Sequence, residues 1–461
     1  MAPSSATTSR AAARMRSRRE VVPGEVILEN AFCRRELECT FVQPGGRGGL
    51  PGSRPRTHER CILMDQAVRR RRRALFVFFL LAGISMSSWV TRTPAIRDRL
   101  GLSTGEMGLV LFGLSLGSML GILCSGRLVS RFGTRPVILW GTSVLVAGLA
   151  TVAVGVLASS TPLVTAGLFL FGSGIGGGEV GMNIDATDVE RLTGVTTMPT
   201  LHGCFSLGTV LGAGVGIGAT ALDVPVQWHL AGATAVAVGL LAYAFPAIPA
   251  GTGRVEKAPT ADAGSPRTAL WKDRKLVLIG TIVLAMALAE GSANDWLPLI
   301  MVDGHGMGEA AGSLVYAGFA AAMTLGRFSG TYFLDRFGRV NVVRASALSG
   351  ALGLLLVIVA DNAVIAGIAV LLWGLGASLG FPLALSAAGE SGPDETARVS
   401  LVAIIGYLAF LVGPPTLGFL GEHVGLRPAM LVVLACVACA TFAAPAVDTG
   451  QRRREAVGEG A

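Results

Sequence analysis

The sequence has few charged residues. Only 15% of its 461 residues are Asp, Glu, Lys or Arg, whereas 51% are hydrophobic, and soluble domains carry about 25% charged residues. A chain of this length with so little charge cannot cover a water-facing surface. A lipid bilayer is the solvent that accommodates such a composition, so we predict an all-α integral membrane protein.

Metal-binding and nucleotide-binding motifs are also scarce. The seven cysteines are dispersed, and only Cys436 and Cys439 have a CxxC spacing, inside an apolar run where two small side chains are expected rather than a zinc site. The chain has no Gly-Lys dipeptide and therefore no Walker A motif. GSGIGG, from Gly172, fits a dinucleotide pattern but lies in an apolar segment, which favours helix packing. We expect no metal, no cofactor and no enzymatic activity.

The chain contains about twelve apolar segments that can cross a bilayer. A transmembrane helix needs about 20 mostly apolar residues. The predicted segments fall into two groups of six. They start near Ala74, Gly105, Pro136, Pro162, Leu201 and Val226, and near Leu276, Ala310, Val340, Ala363, Val399 and Pro428.

These segments divide the chain into five predicted parts. The Arg-rich start lacks an apolar period and is predicted to be disordered, with Met64 as an alternative initiation site. The polar, Pro- and Gly-containing stretch between the two groups is typical of a linker. The parts are an extension (1–68), an N-terminal six-helix bundle (69–248), a linker (249–274), a C-terminal six-helix bundle (275–447) and a tail (448–461).

Basic residues indicate the orientation. The net charge of +8 arises from residues at the ends of apolar segments and in the extension, not from one soluble face, which argues against nucleic-acid binding. The side richer in Arg and Lys, with both termini and the linker, is predicted to be cytoplasmic. Arg92, Arg97 and Arg99 lie on the opposite side. They are either a local exception or a functional group at the outer mouth.

The two groups of segments repeat each other. GILCSGRLVSRFGTRPV, from Gly121, aligns with GRFSGTYFLDRFGRVNV, from Gly326. FGSG, from Phe171, corresponds in order to WGLG, from Trp373. An ordered series of matches indicates a duplicated half, and parallel repeats with a binding site between them are a transporter architecture.

Two motifs resemble a known family. GRLVSRFGTR and FLDRFGR are similar to the loop signature of the major facilitator superfamily, and AEGSANDW and GYLAFLVGPPTLGFLGE resemble its fucose-permease-like bacterial branch. The resemblance spans roughly residues 69–447 and implies alternating access, with the two loops latching the halves on the cytoplasmic side. Ser130 stands where the family has Asp, and Thr331 replaces the second leading glycine. The resemblance assigns the latch to Gly126, Ser130, Arg131, Gly133 and Arg135, and to Asp335, Arg336, Gly338 and Arg339.

Charged residues inside apolar segments are the strongest functional candidates. Glu290, Glu179 and Arg327 lie in the seventh, fourth and eighth segments, and a charge near the bilayer centre costs about 2.5–3.5 kcal/mol. Each acid is predicted to carry protons or bind substrate, although Glu290 could instead form a structural pair with Arg327. The resembling branch also has an acid on its first helix, where this chain has only Ser85 and Ser88.

Further candidates flank these charges. Asn183 is one helical turn from Glu179, so both side chains can face one cavity. Each of the others could equally be an interface anchor or a packed side chain. They are Asn294, Asp295 and Trp296 beyond Glu290, Trp89 and Arg92 in the first half, and Trp373, His202 and Tyr407.

The combined prediction is a proton-coupled secondary transporter of the bacterial cytoplasmic membrane. Its partners would be a small solute, protons and the lipid bilayer, and we expect a monomer. The solute could be a sugar-like compound or another small metabolite, and either import or efflux is compatible with the sequence. The alternative is a sensor or receptor on a transporter scaffold, which would normally carry a soluble output domain. A membrane-embedded enzyme would need a convergent catalytic motif, which the sequence does not show.

Overall fold

The computed structural model describes residues 55–194, 197–254 and 270–448. The first 54 residues, which the sequence predicts to be disordered, lie outside these ranges. Most of the linker and the tail from residue 449 also lie outside them. The first helix begins at Pro55, upstream of the boundary predicted at residue 69. Its early residues include Arg, Glu, Leu, Met and Gln, which are good helix formers despite their low overall hydropathy.

The described residues form a wholly helical fold. Short 3-10 turns follow the sixth and last spans, and a π-helical turn, Ile300–Gly304, follows the seventh. Within the described ranges the α-helices are α1 Pro55–Val90, α2 Thr93–Leu100, α3 Thr104–Phe132, α4 Thr134–Leu157, α5 Thr161–Thr193, α6 Met198–Ala221, α7 Val226–Ala244, α8 Arg274–Leu299, α9 Glu309–Phe337, α10 Arg339–Val359, α11 Ala363–Glu390, α12 Glu395–Val424, α13 Leu426–Ala429 and α14 Leu431–Ala443.

Eleven spans of the described chain are long and apolar enough to cross a membrane. Helix α9 is not among them although it has 29 residues, because polar residues such as Arg327 lower its hydropathy. With α9 the spans match the twelve predicted segments, the last being Leu426–Val447. The predicted fold class is therefore confirmed, with α1–α7 in the first half and α8–α14 in the second.

The two signature loops are short because each contains a glycine with a left-handed backbone. Gly133, between α3 and α4, has φ 86°, and Gly338, between α9 and α10, has φ 78°. L-residues with a Cβ avoid this region. The repeated Phe-Gly of the sequence thus corresponds to the same helix-ending turn in each half.

Helix α5 packs closely between α3 and α4 through its glycines. A Cβ at Gly172 would collide with the backbone carbonyl of Leu114 on α3, and one at Gly174 would collide with the backbone of Leu145 on α4. Small residues allow this approach where lipid gives no hydrophobic driving force. The GSGIGG run therefore lies at a helix-packing surface.

Among the described residues, the most extensive contacts between the two halves run along α3 with α12 and α6 with α9. We call the side that carries residues 249–254 and 270–273 the linker side, and the other the far side. At the far side α3 and α12 cross at glycines, since a Cβ on Gly418 would lie 2.8 Å from the Cα of Gly108. The helices that supply the candidate site, α5, α6, α8, α9 and α12, surround the space between the halves.

Candidate functional site

An ion pair between α8 and α9 is the centre of the site. The Arg327 Nη2 atom donates to both carboxylate oxygens of Glu290, at 2.9 and 3.1 Å. The two side chains are 28% and 18% exposed, so the pair borders accessible space rather than a closed core. Nη1 and Nε of Arg327 form no hydrogen bond with the described residues. The guanidinium therefore keeps donors that a ligand can use.

The first half contributes Glu179 and Asn183 from α5. The side chain of Asn183 interacts with the Glu179 carboxylate, and Glu179 interacts electrostatically with Glu290 and Arg327 of the second half. The Asn183 Oδ1 atom is buried and accepts no hydrogen bond from the described residues. Three predicted residues from both halves, Glu179, Asn183 and Glu290, thus lie near Arg327, which was also predicted.

Two further side chains border this cluster. His202 on α6 interacts with the charges of Arg327 and Glu290, and its ring stands edge-on to Phe79, with ring centroids 5.2 Å apart. Tyr407 on α12 interacts electrostatically with Glu179. We call Glu179, Asn183, His202, Glu290, Arg327 and Tyr407 the central cluster.

A smaller polar group lies farther along α8, toward the far side. The hydroxyl of Tyr316 donates to Asn294 Oδ1 at 3.2 Å. Asp295 is only 6% exposed and forms no hydrogen bond or ion pair with the described part of the chain. Tyr316 interacts electrostatically with both Asp295 and Glu290, so it lies between this group and the central cluster. The sequence analysis missed Tyr316, although tyrosine is rare here, with four in the chain.

The other predicted site residues lie elsewhere. Arg92 donates to Thr220 Oγ1 and to the carbonyl of Val224, both at 2.8 Å, and so satisfies groups at the far-side end of α6. The Trp373 indole donates to the Ala289 carbonyl at 3.2 Å inside the second half. These side chains contact helix backbones here, and their substrate role stays a prediction. Trp89 and Trp296 are 1% and 0% exposed in the hydrophobic core.

Polar contacts join the two halves at the far side. The Glu422 carboxylate, at the end of α12, accepts a hydrogen bond from the backbone N–H of Gly105, in the first turn of α3, at 2.8 Å. Arg97 forms an ion pair with Asp303 across the halves. We call these four residues the far-side clasp. The ion pair with Asp303 accounts for the position of Arg97 on the arginine-poor side, which is unusual for a membrane protein.

The residues of the first latch loop contact their own half. Arg131 lies over the Phe132 ring at 5.3 Å and Arg135 over the Phe245 ring at 4.9 Å. The Ser130 hydroxyl donates to the carbonyl of Arg127 at 3.0 Å. Gly126 has nothing within 4 Å of where a Cβ would stand. No other described helix packs closely against Gly126 in this conformation.

In the second loop, Arg339 pairs with Glu390 at 2.7 Å. Asp335 and Arg336 are exposed on the linker side.

A buried ionic network near the first loop was not predicted. Arg71 donates to Asp185 at 2.8 Å and to Asp188 at 2.7 Å. Thr134, which follows Gly133, donates to Asp185 at 2.7 Å. The carboxylate that Ser130 cannot supply to this loop is thus provided by Asp185. Five consecutive arginines gave no indication that one of them is buried.

Comparisons with known proteins agree with this architecture. The model of the Major Facilitator Superfamily matches residues 39–198 and 74–403. An uncharacterised MFS-type transporter of Yersinia pestis is 32% identical over 362 residues, covering 78% of this chain and 90% of that protein. Membrane protein MosC of Rhizobium meliloti is 26% identical over 371 residues, covering 79% of this chain and 87% of that protein.

Solved structures share the fold. The nucleoside transporter NupG superposes with a TM-score of 0.63 at 14% identity, covering 83% of this chain and 98% of that chain. A variant of the Escherichia coli fucose:proton symporter FucP gives 0.57 at 16% identity, covering 82% and 98%.

Two six-helix halves around a polar centre define a multi-pass membrane transporter. The matched family model covers most of the chain. The protein therefore belongs to the major facilitator superfamily, as the two signature loops had indicated.

Proposed function

We propose that this protein is a proton-coupled secondary transporter that moves a small polar solute by alternating access, with the central cluster as its binding site. The observation that carries the proposal is the meeting of Glu179 from one half with Glu290 and Arg327 from the other. A site shared by both halves changes whenever they move relative to each other. Such a site can couple solute binding to that movement.

The charges of the cluster support proton coupling. Two carboxylates, Glu179 and Glu290, share one guanidinium, that of Arg327. With neutral His202, this leaves one negative charge in excess inside the membrane region. An uncompensated buried charge is costly. Either a proton or a cationic group on the solute therefore removes that cost, which gives the site a reason to exchange one for the other.

The contacts between the halves support alternating access. The far-side clasp closes one side, while Gly126 on the linker side has no neighbour at the position of a Cβ. His202, in the second turn of α6 from the linker side, is exposed. These features favour a conformation whose central cluster opens toward the linker side. In the alternate conformation the clasp would separate and the latch loops would close.

The placement of basic residues supports a cytoplasmic linker side in a bacterial cytoplasmic membrane. FucP is a fucose:proton symporter, and proton coupling is extended to this chain only as part of the proposal. We further propose that the chain functions as a monomer, because the central cluster is complete within one chain.

Metabolite profiling tests the proposal while the solute is still unidentified. Cells lacking endogenous relatives would express the wild-type chain or the Glu179→Gln Glu290→Gln double variant in a complex medium, and mass spectrometry would follow solutes inside and outside. We expect at least one solute whose redistribution requires the wild-type chain and disappears when the proton gradient is dissipated. A profile unaffected by the uncoupler, or identical in the double variant, contradicts proton coupling at this site.

Counterflow in proteoliposomes separates a transporter from a sensor. A transporter exchanges labelled for unlabelled solute across the membrane, whereas a sensor only binds it. We expect counterflow of the solute found by profiling; binding without counterflow contradicts the proposal.

A further inference from the structure

The hydrogen-bonding capacity around Glu179 is unbalanced. Asn183 interacts with the Glu179 carboxylate, and its own Oδ1 is buried and has no donor among the described residues. Glu179 Oε and Asn183 Oδ1 are thus two adjacent acceptors, one helical turn apart on α5. A buried acceptor without a donor costs about 1–3 kcal/mol. This part of the cluster therefore requires a ligand that brings hydrogen-bond donors.

A proton alone does not meet this requirement. A protonated carboxyl has one O–H donor, so it removes the charge of Glu179 but leaves Asn183 Oδ1 unsatisfied. A primary ammonium group has three donors and one positive charge. It can donate to Glu179 and to Asn183 at once and neutralise the excess charge of the cluster. A carboxylate or phosphate solute would add a second excess negative charge.

The opposite side of the cluster sets a second requirement. Arg327 uses only Nη2 on Glu290 and keeps Nη1 and Nε for other acceptors. A hydroxyl oxygen can accept from these N–H groups without adding charge. Tyr407 on α12 and His202 on α6 complete the surroundings with groups that both donate and accept.

We propose that the transported solute is a small hydroxylated primary amine of single positive charge, whose ammonium group binds Glu179 and Asn183 and whose hydroxyl groups face Arg327. The inference rests on the proposed function and narrows its substrate class. The ammonium group and the proton then occupy the same carboxylate in turn. One positive charge leaves as the other enters, so solute and proton move in opposite directions at a ratio of one to one.

The sign of the cavity charge can be measured without a ligand. In a background with the seven cysteines replaced by serine, His202→Cys would be labelled with aminoethyl and sulfonatoethyl methanethiosulfonate, with rates normalised to a free thiol. We expect the cationic reagent to react about tenfold faster, since a unit charge a few ångströms away contributes at least about 1 kcal/mol. Adding Glu179→Gln should bring this ratio close to one, because Glu290 and Arg327 then balance each other. An equal or inverted ratio, or one that Glu179→Gln leaves unchanged, overturns the inference.

Matched solutes test the chemical class. Glucosamine, glucose and gluconate, and ethanolamine, ethylene glycol and glycolate, differ within each set mainly in one group. We expect an amine to raise the melting temperature of the wild-type protein but not that of Glu179→Gln. The affinity for the amine should fall up to tenfold for each unit by which the pH is lowered, because the proton competes for Glu179. Stabilisation by an alcohol or acid equal to that by the amine overturns the inference.

If none of the six solutes binds, the ratio of the two labelling rates decides whether the inference stands. If an alcohol binds and uptake still follows the proton gradient, the substrate class is wrong while the proposed function stands. If no transport responds to the gradient, the proposed function itself fails.

Discussion

Arg327 donates through a single nitrogen to both carboxylate oxygens of Glu290, at 2.9 and 3.1 Å, and so joins α8 to α9 at the centre of the protein. Glu179, from the other half, interacts with the same guanidinium. One cation therefore serves two carboxylates that belong to different halves. The ion pair therefore connects two helices of the second half and also links the charge of that half to Glu179 of the first.

The first prediction is a coupling between Glu290 and Arg327. Arg327→Gln leaves two carboxylates without a cation, whereas Glu290→Gln leaves Arg327 with Glu179, so Arg327→Gln should destabilise the protein more than either Glu290→Gln or the combination does. We expect a coupling energy of about 0.5–3 kcal/mol in thermal denaturation, and loss of proton-driven transport in all three variants. Additive destabilisation would show that the pair is not coupled.

The buried network around Arg71 gives a second prediction, with a control in the same network. The Asp185 side chain is 0% exposed and that of Asp188 is 37% exposed, although both bind Arg71. Asp185→Asn should cost about 3–5 kcal/mol, as expected for a broken buried pair, whereas Asp188→Asn should cost about 0–1 kcal/mol. Melting temperatures in detergent measure the difference. Equal losses in the two variants would contradict the burial argument.

The far-side clasp gives a third prediction, about conformation. Asp303→Asn removes an ion pair that joins the halves, whereas Asp98→Asn removes a contact of the same Arg97 inside one half. A surface pair contributes about 0.2–1 kcal/mol, so Asp303→Asn should raise the population opened to the far side by up to several-fold.

Thiol labelling at Ser313→Cys, a fully buried position whose hydroxyl donates to Thr91 across the halves, reports that opening. The Asp98→Asn control should label at the wild-type rate. Faster labelling in both variants, or in neither, would show that the clasp does not hold the halves together.

The two glycines of the first latch loop give a fourth prediction. Gly133 has φ 86°, and a Cβ there would lie 3.0 Å from the carbonyl oxygen of Thr252, whereas Gly126 faces open space inside α3. Gly133→Ala should destabilise the protein by about 1–2 kcal/mol, because an L-residue is strained there. Gly126→Ala should be neutral or should stabilise by about 0.5–1 kcal/mol, because alanine favours helix. Thermal denaturation of the two variants gives the comparison, and equal effects would refute it.

The sequence was most informative where charge interrupts an apolar span. Glu179, Glu290 and Arg327 were predicted because each is costly in lipid, and the structure brings all three together. Arg92 and Trp373 were predicted on other grounds, as an arginine on the arginine-poor side and as an aromatic residue near the cavity, and both donate to backbone carbonyls. Sequence alone cannot distinguish these cases, because a backbone carbonyl leaves no signature in the side-chain pattern.

Contacts between distant residues were the least predictable. Arg71 and Asp185 are 114 residues apart. The arginine is one of five in a row, and such a run indicates only the cytoplasmic end of a membrane span. Only the packing of α1 against α5 selects one of them for burial. The absence of Asp at position 130 is visible in the sequence, but its replacement by Asp185 depends on how α5 lies beside the first latch loop.

Proton movement in proteoliposomes tests the central claim most directly. Vesicles containing a pH-sensitive dye would be given the solute identified by profiling, while counterflow is followed in parallel. We predict that the wild-type protein moves protons whenever it moves the solute, and that Glu179→Gln and Glu290→Gln each abolish the proton signal, with residual solute exchange in at least one of them. Full proton movement in both variants would contradict the account.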